Sequence, residues 1–92
     1  MALQKTLEHP YFDITVPNAY WIIDEHDGIR GNEEEFEIHL NVFTSQAAST
    51  KDGIVPIYSI TFNFIPSGNE EIITQIYNYA KTLPELNGAI DI

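Results

Sequence analysis

The sequence predicts an α+β domain, in which an antiparallel sheet of about four strands is followed by one C-terminal helix packed on one face of the sheet. Apolar residues alternate at a spacing of two over much of residues 11–65, which is the period of a strand. The spacing changes to three and four over residues 67–83, which is the period of a helix. A length of 92 residues with 43% hydrophobic residues fits a single domain, 1–92.

The N-terminal half is interpreted as an arm followed by two strands. Residues 1–10 are expected to form an arm that ends at Pro10. Alternation predicts a strand over residues 11–16, and the β-prone residues 19–24 predict a second strand after the interruption at Pro17-Asn18. The polar stretch 25–32, which contains Asp-Gly and Gly-Asn turn dipeptides, is expected to form a hairpin connection.

The clearest strands follow that connection. Residues 35–43 alternate, and their apolar positions are Phe36, Ile38, Leu40 and Val42. Residues 57–65 alternate in the same way after a loop at 45–53 that is rich in Ser, Thr and Ala. Alternation with one polar face is typical of an antiparallel sheet that is covered on one side.

The helix is predicted from a capping signal, an apolar stripe and a stop signal. Ser67 and Glu70 match a capping box at the start of helix 67–83, and Pro84 ends it. The stripe comprises Ile72, Ile73, Ile76, Tyr77, Ala80 and Leu83. The tail 84–92 closes with a short alternating piece, Ala89-Ile90-Asp91-Ile92.

The composition excludes several classes of function. Four Lys plus Arg residues against fourteen Asp plus Glu residues give a net charge of −10, which argues against nucleic-acid binding and against anionic membranes. No apolar run approaches the roughly 20 residues of a membrane-spanning helix, and the N-terminus lacks the apolar core of a signal peptide. The absence of cysteine excludes disulfides and zinc–thiolate sites.

No catalytic, cofactor-binding or metal residue is assigned, and no cofactor is expected. His9, His26 and His39 are scattered, and no Gly-x-Ser-x-Gly elbow accompanies them. The acidic loop 24–28, with Glu33 to Glu35 nearby, offers oxygen ligands for a hard cation, but it lacks the alternating order of an EF-hand. It is interpreted as a solvated turn, with calcium binding left as an alternative.

Apolar and aromatic residues outside the predicted core are candidates for contacts between subunits. Aromatic residues are common anchors of protein interfaces, and a short tail can add a strand to the sheet of a neighbouring subunit. The candidate interface residues are Tyr20, Ile22, Phe43, Ile57, Ile65, Tyr79, Ala89, Ile90 and Ile92.

The C-terminal motif resembles a known group of proteins. The run Ile-Tyr-Asn-Tyr-Ala-Lys-Thr-Leu-Pro-Glu-Leu at 76–86, followed by Gly88-Ala89 and Asp91, is similar to the ending of small proteins of the tail and baseplate region of tailed bacteriophages and prophages. Asn18-Ala19-Tyr20 also resembles that group. The resemblance implies a virion component, made in the host cytoplasm and located in the tail region, whose partners are other copies of itself and other phage structural proteins. It transfers no catalytic residue.

Two alternatives to a virion structural protein stay open. An acidic regulatory or inhibitory module would use the net charge of −10 to bind a basic host protein. A tail-assembly accessory factor would act during assembly and be absent from the mature particle. None of these functions is enzymatic.

Overall fold

The sheet has six strands in the residues that the computed structural model describes, 1–25, 27–31 and 34–92. The strands are β1 Leu3–His9, β2 Ile14–Ile23, β3 Ile29–Gly31, β4 Phe36–Phe43, β5 Tyr58–Phe64 and β6 Ile90–Asp91. The helices are α1 Gln46–Ser49 and α2 Ile72–Ala80, and a 3-10 turn spans Pro84–Leu86. The strand pairs in these residues are antiparallel. The α+β class with an antiparallel sheet is confirmed, while β1, β3, β6 and α1 were not expected.

The predicted arm over residues 1–10 is wrong, because most of it forms β1. This strand pairs with β2 from Leu3 opposite Trp21 to His9 opposite Ile14. Leu3 and Leu7 are both buried in the core, at 0% and 5% exposure. The apolar side chains that were expected to project beyond the fold therefore hold the first strand on it.

The two strands predicted over 11–16 and 19–24 are one strand, β2, with a bulge in the middle. The pairing register shifts between Lys5 and Leu7 of β1. These two residues are two positions apart, whereas their partners in β2, Ala19 and Val16, are three positions apart. Asn18 has a φ of 52°, and its N–H donates to Thr6 Oγ1 at 3.4 Å. An extra residue in a left-handed conformation bends a strand without ending it. Pro17-Asn18 is thus a bulge in a continuous strand.

The order of the strands leaves three free edges in the residues that the structure describes. β5 pairs with one side of β4, from Tyr58 opposite Val42 to Phe64 opposite Phe36. On the other side of β4, β2 and β3 follow one another in line. β1 lies beyond β2, and β6 pairs with Leu3 and Gln4 of β1. β3 pairs with β4 alone, so in the described residues the free edges are β5 on one side of the sheet and, on the other side, β3 and β1 with β6.

Helix α2 covers the apolar face of the sheet, but it is shorter than predicted. Ser67 and Glu70 do not form the expected capping box: Gly68 has a φ of 76°, which interrupts a helical path, and the helix begins only after Glu71. The Gln75 side chain instead accepts from the Ser67 N–H and donates to the Glu70 carbonyl. The helix ends at Ala80, ahead of Pro84.

The core lies between α2 and that face. Leu86 of the 3-10 turn folds back into it with 0% exposure. The buried members are Leu3, Leu7, Ala19, Trp21, Ile38, Leu40, Val42, Phe64, Ile76, Tyr77, Ala80 and Leu86.

Tyr77 fastens α2 to the end of β2. Its side chain is buried, and its hydroxyl accepts a hydrogen bond from the Ile23 N–H at 3.0 Å. Burial raises the pKa of Tyr77 above its ordinary value of about 10, although the Ile23 hydrogen bond partly opposes this. The folded chain therefore keeps the Tyr77 proton at pH values where the unfolded chain loses it, so this contribution to stability is complete below pH 10 and lost as pH rises beyond it.

The variant Tyr77→Phe tests this assignment. At neutral pH we expect it to lower the free energy of unfolding by about 1 kcal/mol, because the Ile23 N–H loses its acceptor. Above about pH 10 the difference between the two proteins should narrow, since the parent alone pays for keeping Tyr77 neutral. Urea unfolding at neutral and alkaline pH measures both effects. A difference that does not change with pH would contradict the raised pKa.

Both chain ends belong to this chain's own sheet. The Ala2 N–H donates to the Ile92 carbonyl at 3.2 Å, and the Ile92 N–H donates to the Ala2 carbonyl at 3.0 Å. Lys81 Nζ lies 2.9 Å from an Asp91 carboxylate oxygen. The tail 84–92 is thus occupied within its own fold, and the idea that its last residues add a strand to a neighbouring subunit is wrong for this structure.

Candidate functional site

The residues predicted as interface candidates fall in three separate places. Tyr20, Ile22 and Phe43 lie on the sheet face opposite α2. Ala89, Ile90 and Ile92 lie at β6, where Ile90 and Ile92 are exposed. The remaining three, Ile57, Ile65 and Tyr79, lie around β5. They therefore do not form one continuous surface.

The first group is largely buried. Tyr20 and Phe43 are each 8% exposed and pack with Ala2 in a small second core, with Ile22 partly buried against them. The prediction that Tyr20 and Phe43 are available for contacts is wrong, because both side chains are buried in this second core. Ser45 caps α1 by accepting from the Ala48 N–H.

An open groove remains beside this second core. It has a volume of about 710 Å³ and lies between the sheet and residues 46–56. Ile22, Phe43 and Ile54 contribute apolar surface, while Asp24 and Lys51 contribute charge. Its lining thus mixes apolar and polar side chains, and two of the polar ones, Asp24 and Asn41, are bonded to each other.

The acidic loop is organised by hydrogen bonds to protein groups. Asp24 accepts from Asn41 Nδ2 at 2.9 Å and from the Asp27 N–H at 3.1 Å. Asp27 pairs with Arg30 at 2.9 Å, and this hydrogen bond raises the pKa of Arg30. Among the residues that the structure describes, no three acidic or histidine side chains converge as metal ligands would. His26 and Glu33 lie outside the described residues.

His9 has a structural role that the sequence did not indicate. It is 6% exposed; its Nδ1 accepts from the Tyr11 N–H at 3.2 Å, and its Nε2 lies 2.9 Å from the Ile57 carbonyl, to which it donates. The Phe12 and Tyr58 rings lie 4.6 and 5.2 Å from the imidazole, centroid to centroid. Both nitrogens are engaged, so His9 joins the end of β1 to the start of β5 rather than serving as a base or a ligand.

Two members of the third group border the open edge of the sheet, whereas Ile57 packs partly buried against the core. Tyr79 projects from α2 over β5, and its ring centroid lies 5.7 Å from that of Phe62 and 5.6 Å from that of Phe64. Tyr79 is 41% exposed, and Ile65, directly after β5, is 68% exposed. Tyr79 therefore exposes part of its ring on the α2 side of the strand, and Ile65 exposes its side chain directly after the strand ends.

The outer side of β5 is an open strand edge, which begins after Ile57, the residue whose carbonyl accepts from His9. In the described part of the chain, β4 is the one strand that pairs with β5. Natural edge strands are usually blunted by charges, proline or bulges, which prevent pairing with another chain. β5 reads Tyr-Ser-Ile-Thr-Phe-Asn-Phe and contains neither a charge nor a proline, and its pairing with β4 is regular throughout.

The edge formed by β1 and β6 carries the charges and the bulge that β5 lacks. β1 carries Lys5 and Glu8, and the bulge in β2 lies against it. β6 covers its first residues and brings Asp91 to the edge. The remaining edge, β3, is only three residues long and contains Arg30, and short or charged edge strands resist pairing. This contrast makes β5, with Ile65 and Tyr79 beside it, the candidate interaction site; we refer to this set as the β5 edge.

Comparisons with known proteins add no relative. Neither helix of the described residues has the length and apolar content that crossing a bilayer requires. No protein-family model, curated protein or solved structure matches the chain.

Proposed function

We propose that this protein is a non-enzymatic structural component of a bacteriophage virion, in the tail or baseplate region, and that it acts through contacts between subunits. The observation that carries the proposal is the β5 edge, a regular seven-residue strand without charge or proline whose outer side is open. The resemblance of residues 76–91 to small phage tail proteins supports the location. The two features are independent, because one concerns β5 and the other α2 and the tail.

An open edge suits assembly because the strand itself supplies the binding groups. Each residue that faces outward offers an N–H and a carbonyl to a partner strand, so binding needs no pocket. Exposed apolar side chains beside the edge, Ile65 and Tyr79, add surface that a partner would cover. A protein of this kind acts by holding neighbouring subunits in place, so it requires no catalytic residue.

The net charge of −10 favours a second candidate, an acidic module that occupies a basic host protein. Such binding depends on long-range attraction and weakens as salt screens the charges. Binding at the β5 edge depends on backbone hydrogen bonds and apolar contact, so it should survive raised salt. A pulldown from host lysate at low and high salt separates these two modes.

The direct test is a mass-spectrometric inventory of purified particles from a host that produces the phage carrying this gene. We expect the chain in the particles, at a constant ratio to the other tail proteins. Detection in the host lysate together with absence from finished particles would contradict the proposal and favour the assembly-accessory alternative.

A further inference from the structure

We propose that two copies of this chain associate through β5, antiparallel and edge to edge, so that their sheets join into one. The inference rests on the proposed function, because it names the first partner in assembly as a second copy of the chain. Three properties of the chain support it: the hydrogen-bonding capacity of β5, the symmetry of its sequence and the distribution of charge.

β5 has the hydrogen-bonding capacity for such a pair. In an antiparallel strand, alternate residues direct both their N–H and their carbonyl to the same neighbour. The seven residues Tyr58–Phe64 pair with β4 on one side, which leaves the groups of alternate residues directed outward. An identical strand running in the opposite direction presents a matching set.

The sequence of β5 is complementary to itself. With a two-fold axis at Thr61, the middle residue, Tyr58 faces Phe64 and Ile60 faces Phe62 on the side covered by α2. On the other side Ser59 faces Asn63, and Thr61 faces Thr61 of the second copy. Apolar residues thus meet apolar residues and polar meet polar, which are the pairings that stabilise a sheet. Because each copy uses its own β5, the contact closes at two copies instead of propagating.

Charge also directs a second copy to this edge. No charged residue occurs between Asp52 and Glu70, in a chain whose net charge is −10. Two copies repel one another over most of their surfaces, and β5 lies within the longest stretch that carries no charge of its own. Raised salt should therefore strengthen the dimer by screening the remaining repulsion, whereas an interface built on ion pairs would weaken.

Tyr79 extends the contact beyond the backbone. Tyr79 lies against Phe62 and Phe64 in each copy, so a dimer with its axis at Thr61 brings the two Tyr79 rings to the same side of the joined sheet. Tyr79 and Ile65 would lose part of their exposure, which adds apolar burial to the hydrogen bonds.

The test exchanges Thr61 for charged residues. Thr61 is exposed and faces His39 within its own sheet, so both Thr61→Glu and Thr61→Lys should fold as the parent does. In the dimer either substitution sets two like charges opposite one another, and we expect each to raise the dissociation constant about fivefold or more. An equimolar mixture sets Glu opposite Lys and should form a heterodimer. Thr44→Glu, exposed and outside β5, is the control and should dimerise as the parent does.

Analytical ultracentrifugation over micromolar to millimolar concentrations measures all of these species, and far-UV circular dichroism checks their folding. A parent that stays monomeric, or a parent dimer that Thr61→Glu leaves unchanged, would overturn the proposal. So would equal weakening by Thr44→Glu. If the chain is present in purified particles only as a monomer, the proposed dimer is overturned but the proposed function stands. If a Thr61-dependent dimer forms but is absent from the particles, the proposed function is overturned but the dimer stands.

Discussion

Replacing Trp21 with alanine is expected to bring the domain close to unfolding. The indole is 1% exposed in the core, and its Nε1 donates to the Lys5 carbonyl at 2.9 Å, which ties β2 to β1. Truncating a buried tryptophan costs about 3–5 kcal/mol through lost burial and the cavity left behind. A small domain has only about 5–15 kcal/mol of total stability, so this single change removes a large part of it.

Urea unfolding followed by far-UV circular dichroism measures that loss, because Trp21 is the chain's single tryptophan and the variant has no indole fluorescence. Trp21→Phe should recover part of the packing while still lacking the bond to Lys5. Tyr11→Ala, which removes a ring that is 80% exposed, should change the free energy of unfolding by less than about 0.5 kcal/mol. A Trp21→Ala midpoint equal to that of Tyr11→Ala would contradict the placement of Trp21 in the core.

Gly28→Ala is expected to have the second large effect. Asp24 and Gly28 both bond to the backbone of His39. The Asp24 N–H donates to the His39 carbonyl at 3.0 Å, and the His39 N–H donates to the Gly28 carbonyl at 2.8 Å. The segment between β2 and β3 thus leaves β4 and rejoins it at the same residue, His39, which brings Gly28 against Asp24. A Cβ on Gly28 would lie 2.2 Å from the Asp24 carbonyl oxygen and from Ile23 Cγ2. Because backbone must move to admit it, we expect a cost of about 3 kcal/mol.

Gly68→Ala separates this steric effect from conformational strain. Gly68 has a φ of 76° and no atom within 4 Å of an added Cβ, so its substitution strains the backbone without a collision. The expected cost is about 1–2 kcal/mol. If chemical unfolding gives Gly28→Ala the smaller loss of the two, the close approach between Gly28 and Asp24 is wrong.

The long alternating strands were predictable from sequence because each has one buried face. Phe36, Ile38, Leu40 and Val42 recur at every second position, and the structure places them in β4 within one residue of the predicted start. β5 was predicted for the same reason. Period-two alternation shows which residues share a face, and burial of that face is what selects the strand.

The missed elements depend on information that short sequence windows lack. Pro17-Asn18 looks like an interruption, but pairing with β1 holds the chain extended through the bulge. Likewise β6 is two residues long and exists because β1 lies beside it. The capping box at Ser67 failed because Gly68 takes a left-handed conformation, which the same Ser-x-x-Glu pattern does not reveal.

The candidate site was predictable in part. Ile65 and Tyr79 were identified as residues outside the core, and both border the β5 edge. Tyr20 and Phe43 were identified by the same reasoning, and both are buried against Ala2. Whether a strand lies at an edge depends on the order of strands in the sheet, which alternation does not determine. The absence of charge between Asp52 and Glu70 was the signal in the sequence that bears on it.

Hydrogen exchange of the β5 amides at low and high protein concentration tests the central claim most directly. The β5 edge predicts that the outward-facing amides among residues 58–64 exchange rapidly in dilute solution and become protected as the concentration rises, while those bonded to β4 are protected throughout. Outward-facing amides that exchange at the same rate at both concentrations would contradict it.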